Sequence, residues 1–204
     1  IPTGTYKTSS GNKTNELSRR IFESTGSTLV SGDNLISYYW YGEGDSRSIA
    51  YNQIGAFKTS ATNKGGYYIG RYEQGTGNVC KAGVEPYVKV TKDTAKSQAE
   101  AMYGGNSYVT SQLISSYAWD TALNFICQTN SAGYTLATTS SSTYGNIATK
   151  KRTNTGAYPA DKYSNIHDLL GNCNEWTTEY SSNTFNTGST KECVYRGGVY
   201  DSNR

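Results

Sequence analysis

The chain has 204 residues, of which 35% are hydrophobic and 17% charged, and the remainder is largely Gly, Ser, Thr and Asn. That balance argues against a helical bundle and for a loop-rich fold, one large domain or one domain with an extension. The net charge of +3 comes with no basic block beyond the short Arg19-Arg20 and Lys150-Lys151-Arg152, so an electrostatic nucleic-acid footprint is disfavoured, and no apolar run approaches a membrane span.

Residues 1–64 form an N-terminal extension or attachment region. Within it, Glu16 to Phe22 reads as a short helix with Leu17, Ile21 and Phe22 on one side. Ile36 to Tyr41 reads as a strand ended by Gly42-Glu43-Gly44-Asp45, and Ile54-Gly55-Ala56-Phe57 is a second apolar run. Residues 65–204 form the main domain. Tyr67 to Glu73 reads as a strand after a Gly-Gly turn, Gly75 to Gly83 as a loop, and Tyr87 to Val90 as a short strand. Thr91 is an N-cap for a helix over Lys92 to Tyr103, which Gly104-Gly105 ends. A second helix fits Ser111 to Cys127, where Ile114, Ala118, Ala122 and Ile126 recur every four residues; Cys127 and Trp119 then belong to the core, and Asp120 is placed to bond the backbone of a neighbouring loop. Residues 129–164 show no period and read as a long polar surface loop, a place for recognition or simple filler. Helices among short strands give an α+β class.

The richest chemistry lies in Asn165 to Tyr200. Asp168 and Glu175 are hard oxygen ligands, and Gly171, Asn172, Cys173 and Asn174 between them let a backbone turn its carbonyls inward. Two carboxylates around a carbonyl-lined turn suit calcium, which takes several oxygens in a flexible shell. The alternative is a tight turn capped by Asp168 with Glu175 in solvent.

The same residues carry a resemblance. Asn165-Ile166-x-Asp168-x-x-Gly171-Asn172-x-x-Glu175-Trp176-Thr177, followed by Arg196-Gly197-Gly198-x-Tyr200, resembles the formylglycine-generating-enzyme (sulfatase-modifying-factor) superfamily. Gly65 to Glu73, Ala118-Trp119-Asp120 and Leu123 to Ile126 agree with it in order, so the likeness spans about two thirds of the chain. It implies a variant of the C-type-lectin-like fold, with Tyr67 to Glu73 as a core strand. It also implies one calcium, held by the side chains at Asp168 and Glu175 and the carbonyls at Gly171 and Cys173; the family usually has Asn at the position of Asp168. The subgroup with Cys173 in the Gly-Asn loop and Cys193 before Arg-Gly-Gly resembles phage and prophage tail or virion-surface proteins. In that fold Cys173 and Cys193 lie on neighbouring segments, as a disulfide or as two free thiols of a cytoplasmically assembled virion. The ends of the chain, Ile1-Pro2-Thr3-Gly4 and Arg204, read as those of a fragment or processed product, with the family's closing strands absent or supplied by another chain.

The family's oxidase branch binds copper through two cysteines, the first at the position of Ser202, and a hydroxyl cannot replace a thiolate on Cu(I). A second branch uses iron with histidine ligands, and this chain has one histidine, His167. A non-catalytic binder is therefore the expectation, with a formylglycine-generating-type oxidase and a structural decoration protein as alternatives. Its partners would be a bacterial cell-surface glycan or protein and other virion proteins, with no nucleic acid and no membrane. It would sit on the virion surface or outside the cell, as a homo-oligomer using avidity. The contact residues would be Tyr195, Tyr200, Asp201, Ser202 and Asn203 with the 129–164 loop. The 19 tyrosines suit such a role, since Tyr gives large contact area at low entropic cost.

Overall fold

The computed structural model describes residues 1–29, 46–139, 143–147, 151–181, 192–198 and 200. The chain is mixed α and β. Two hairpins come first. β1 (Gly4–Thr8) pairs antiparallel with β2 (Gly11–Asn15), and β3 (Arg20–Glu23) with β4 (Gly26–Leu29). The helix expected over Glu16 to Phe22 is thus replaced by the link between two hairpins and the start of β3. Two-residue turns, Ser9-Ser10 and Ser24-Thr25, close the ladders, and the non-local pairing outweighs the weak helical spacing. The strand expected over Ile36 to Tyr41 lies outside the described residues. The run Ile54 to Phe57 lies in α1 (Ser46–Asn63).

α2 (Lys92–Ala101) has Thr91 as its N-cap, as expected; its hydroxyl oxygen accepts from Thr94 N at 3.2 Å. α3 (Ser116–Thr129) starts five positions later than its periodicity suggested, because Ser115 caps it by accepting from Ala118 N at 3.1 Å. A single turn, α4 (Thr135–Thr138), follows. Then come the two-residue strands β5 (Lys162–Tyr163) and β6 (Ile166–His167), and last the antiparallel pair β7 (Glu175–Ser181) and β8 (Glu192–Arg196).

Two expected strands do not form. Tyr67 to Glu73 joins no ladder among the described residues; its main chain bonds Ile1 at Tyr67 and His167 at Arg71. Burial alternates from Tyr67 to Gly70 and then breaks, since Gly70 and Arg71 are both exposed and Tyr72 and Glu73 both half-buried. Tyr87 to Val90 is interrupted by Lys89, whose φ of 59° breaks extended geometry.

α3 is the centre of the core. Trp119, Leu123, Ile126 and Cys127 pack against Leu136 of α4, Tyr163 and Ile166 of the β5–β6 hairpin, and Leu169 and Leu170. Its polar face is buried too, and the N-terminal hairpins satisfy it. Asn124 Nδ2 donates to Asn15 Oδ1 at 2.8 Å, and Asn124 Oδ1 accepts from Ser27 and Tyr134 at 2.8 and 2.9 Å. Asp120 accepts from the Arg19 guanidinium at 2.8 Å and from Arg20 N at 3.0 Å, and Arg196 of β8 approaches it at 3.5 Å. The backbone bond expected for Asp120 is therefore present. Residues 1–29 are not an appendage: they complete α3, and Ile1 and Thr3 exchange backbone hydrogen bonds with Tyr67 and Gly65.

Residues 129–164 also depart from a surface loop. Leu136, Asn146, Ile147, Thr155 and Asp161 are buried. Its described residues follow no regular period because they make separate contacts: Asn146 and Thr153 bond the Asn172 side chain, and Thr155 bonds the main chain at Lys81 and Val84.

Candidate metal centre and recognition edge

The turns on either side of β6 are locally strained. Ser164 and Asn165 before it, and Asp168 and Asn172 after it, all have positive φ, between 50° and 67°. Asn and Asp tolerate that region best among residues with a side chain, so the Asn-x-x-Asp-x-x-x-Asn spelling of this stretch follows from its backbone. Gly171 is required by contact instead. A Cβ there would stand 2.7 Å from Asn146 N.

Asn172 holds the turn together, and every polar group it has is used. Its Nδ2 donates to Glu73 Oε2 at 2.7 Å, and its Oδ1 accepts from Asn146 Nδ2 and Thr153 N, both at 2.9 Å. Its main chain donates to Asn146 O at 3.1 Å and accepts from Tyr200 N at 3.2 Å. Glu73 takes the next amide as well, accepting from Cys173 N at 2.9 Å. One carboxylate thus clamps two successive residues of the loop.

Asp168 is fully buried. Its Oδ2 accepts from Gly156 N at 2.6 Å, and its Oδ1 has no hydrogen-bond partner. Glu175 keeps some exposure as a residue, but its carboxylate is enclosed and its Oε2 also lacks a partner. A Cβ at Gly197, φ +84°, would overlap that Oε2 and lie 3.3 Å from Leu169 O, so a carboxylate oxygen and a carbonyl oxygen face one small space.

Burial, opposed only weakly by the Gly156 bond, pushes the Asp168 carboxyl up to about 6. Burial pushes Glu175 well above the usual carboxylate range, and the charges of Glu73 and Asp161 add to it; the Trp119 indole N–H counters this weakly, without hydrogen-bond geometry. Glu73 is raised in the same way, by burial first and then by Asp168. Burial raises all three carboxyls, and neighbouring acids raise Glu73 and Glu175 further, so negative charge here is costly without a cation or protons. Among the described residues no group of three or more His, Cys, Asp or Glu side chains converges on one point. A cation here would take backbone oxygens besides Asp168 and Glu175.

Cys173 carries a free thiol, so the disulfide considered with Cys193 is not formed. The register of β8 sets Cys193 opposite Tyr180, well along the hairpin from Cys173. Burial and then Glu73 push the Cys173 thiol up, away from a reactive thiolate. Cys127 is buried as expected, and Cys80 is a free, exposed thiol. His167 is half-buried and stacks on Tyr72 at 4.6 Å; burial and the charges of Lys162 and Arg71 lower its pKa.

The structure brings part of the expected contact surface beside this centre. Tyr195 is 55% exposed and meets Trp176 edge-on at 6.2 Å, and Tyr200 is half-buried and bonded to Asn172. Asp201, Ser202 and Asn203 lie outside the described residues. Sequence reasoning missed the roles of Glu73, Asn172, Asn146 and Thr153. Glu73 was visible as the acid ending a motif, but nothing local showed that it reaches across about a hundred positions to the turn. No family model, curated protein or solved structure matches the chain.

Proposed function

We propose that this chain is a non-catalytic binding protein with a C-type-lectin-like, sulfatase-modifying-factor-type frame stiffened by calcium. It serves on a phage tail or virion surface to recognise a bacterial surface ligand. One observation carries the binding part of this reading: acids turn inward and tyrosines turn outward. Glu73 bonds the turn and the carboxylates of Asp168 and Glu175 are enclosed, while Tyr68, Tyr87, Tyr103, Tyr108 and Tyr195 are exposed, alongside Leu29 and Val109. Carboxylates enclosed in this way hold a loop, and exposed tyrosines offer rigid, amphipathic contact area.

The residues present fit a divalent ion. The unpartnered Asp168 Oδ1 and Glu175 Oε2 are hard anionic oxygens, each of them buried. The carbonyls of Gly171 and Cys173 complete the proposed set, with Leu169 O close by. When bound, calcium supplies the positive charge that makes ionised carboxylates tolerable there. The chain's own residues do the positioning. Glu73 and Asn172 fix the turn, and Gly156 orients Asp168.

The phage assignment, the partners and the homo-oligomer rest on the motif resemblance. The test is binding of fluorescent, multimerised protein to intact gut bacteria in calcium, before and after periodate or protease treatment of the cells. Saturable binding that Tyr195→Ala weakens several-fold supports the reading. Absence of binding to any strain, or oxygen consumption with a Cys-containing sulfatase peptide and copper, overturns it.

A further inference from the structure

The metal turn and the exposed edge are joined at three points. The β7–β8 register pairs Glu175 with Arg196 and Trp176 with Tyr195. The main chain of Gly197 lies directly against the Glu175 carboxylate, so close that no side chain fits between them. Tyr200 N donates to Asn172 O at 3.2 Å, and Asn172 is the residue that Glu73 clamps.

We propose that divalent-cation binding at Asp168 and Glu175 orders the Tyr195–Tyr200 edge, so that the metal turn and the recognition edge form one coupled unit. This inference rests on the calcium reading above. Its physical basis is contact. Gly197 cannot move toward the turn without meeting the Glu175 carboxylate, and Tyr200 leaves its place only by releasing the Asn172 carbonyl. Fixing Glu175 and the turn therefore fixes the strand end that packs on them. Linkage makes the effect reciprocal: whatever holds the edge also tightens the ion.

The experiment uses the full chain after EDTA treatment, with and without added calcium chloride. It reads the melting temperature together with amide hydrogen exchange at Tyr200, and at Asn106, whose amide donates to Tyr103 O at 3.0 Å in the turn beyond α2. Calcium is expected to raise the melting temperature and slow exchange at Tyr200 by about tenfold, with little change at Asn106. Gly197→Ala, which drives a methyl into the Glu175 carboxylate, is expected to weaken calcium about tenfold or more by calorimetry. A rise in melting temperature with unchanged exchange at Tyr200 overturns the coupling and leaves the cation site standing. No response of the melting temperature to calcium removes the cation reading and this inference with it. Both decisive readouts come from the unmutated protein, so a misfolded variant does not obscure the result.

Discussion

Asp168 and Glu175 are the residues at which acidity and stability are most directly linked. An acid whose folded pKa is raised binds its proton more tightly in the native state than in the unfolded one. Its contribution is fully present below the unfolded value, and is lost as pH rises through the folded value. For Asp168 that window runs from 3.8 to about 6, and Glu73 and Glu175 act in the same direction. Calcium-free protein is therefore expected to melt at a lower temperature at pH 7 than at pH 4, as far as this cluster decides. With saturating calcium the order reverses, because the ion needs the ionised carboxylates. Melting curves across that range in EDTA and in calcium check both signs. Glu175→Gln separates the terms further. It should abolish the calcium response yet leave the calcium-free protein as stable as the parent or more so at neutral pH, because it removes a buried, unpaired charge.

At the level of elements, α3 is where the chain's distant parts meet. Asp120 is 2% exposed and gathers Arg19 from the N-terminal hairpins and Arg196 from β8. Removing it strands two largely buried guanidinium groups, so Asp120→Ala should cost about 3–5 kcal/mol in urea unfolding. The α2 cap is a local feature by comparison, and Thr91→Ala should cost about 1 kcal/mol in the same assay. The contrast tests whether α3 is the organising element. Equal, small losses would mean that the Asp120 contacts are incidental. β7 and β8 do a different job. Their register presents Tyr195 to solvent while bringing Gly197 down onto Glu175, so one hairpin serves both the exposed edge and the turn.

For the whole molecule, the division at residue 64 expected from the motifs does not follow the packing. Asn15, Ser18, Arg19 and Ser27 each satisfy a buried polar group of α3. Deleting residues 1–29 would leave Asn124, Thr121 and Asp120 buried without these partners. The shortened chain is expected to lose its near-ultraviolet circular dichroism and to aggregate, whereas a separable extension would leave both unchanged. Among the described residues no helix is long and apolar enough to cross a membrane.

Features set by a few neighbouring residues were legible in advance. The Thr91 cap and the four-residue period of α3 each express a backbone preference within about a dozen positions. Features set by distant partners were not. Glu16 to Phe22 has helical spacing but forms the link between two hairpins and the start of β3, since ladder bonds and the contacts with α3 outweigh a short helix's weak preference. Residues 129–164 look like filler because the burial of Asn146, Thr155 and Asp161 answers to separate groups, the Asn172 side chain, the main chain at Lys81 and Val84, and the Asp168 amide, and such pairing leaves no period. Glu73 is the clearest case. Its type makes it an acid, but only the folded chain makes it the clamp on Asn172 and Cys173, because a hydrogen bond depends on proximity in space and not along the chain.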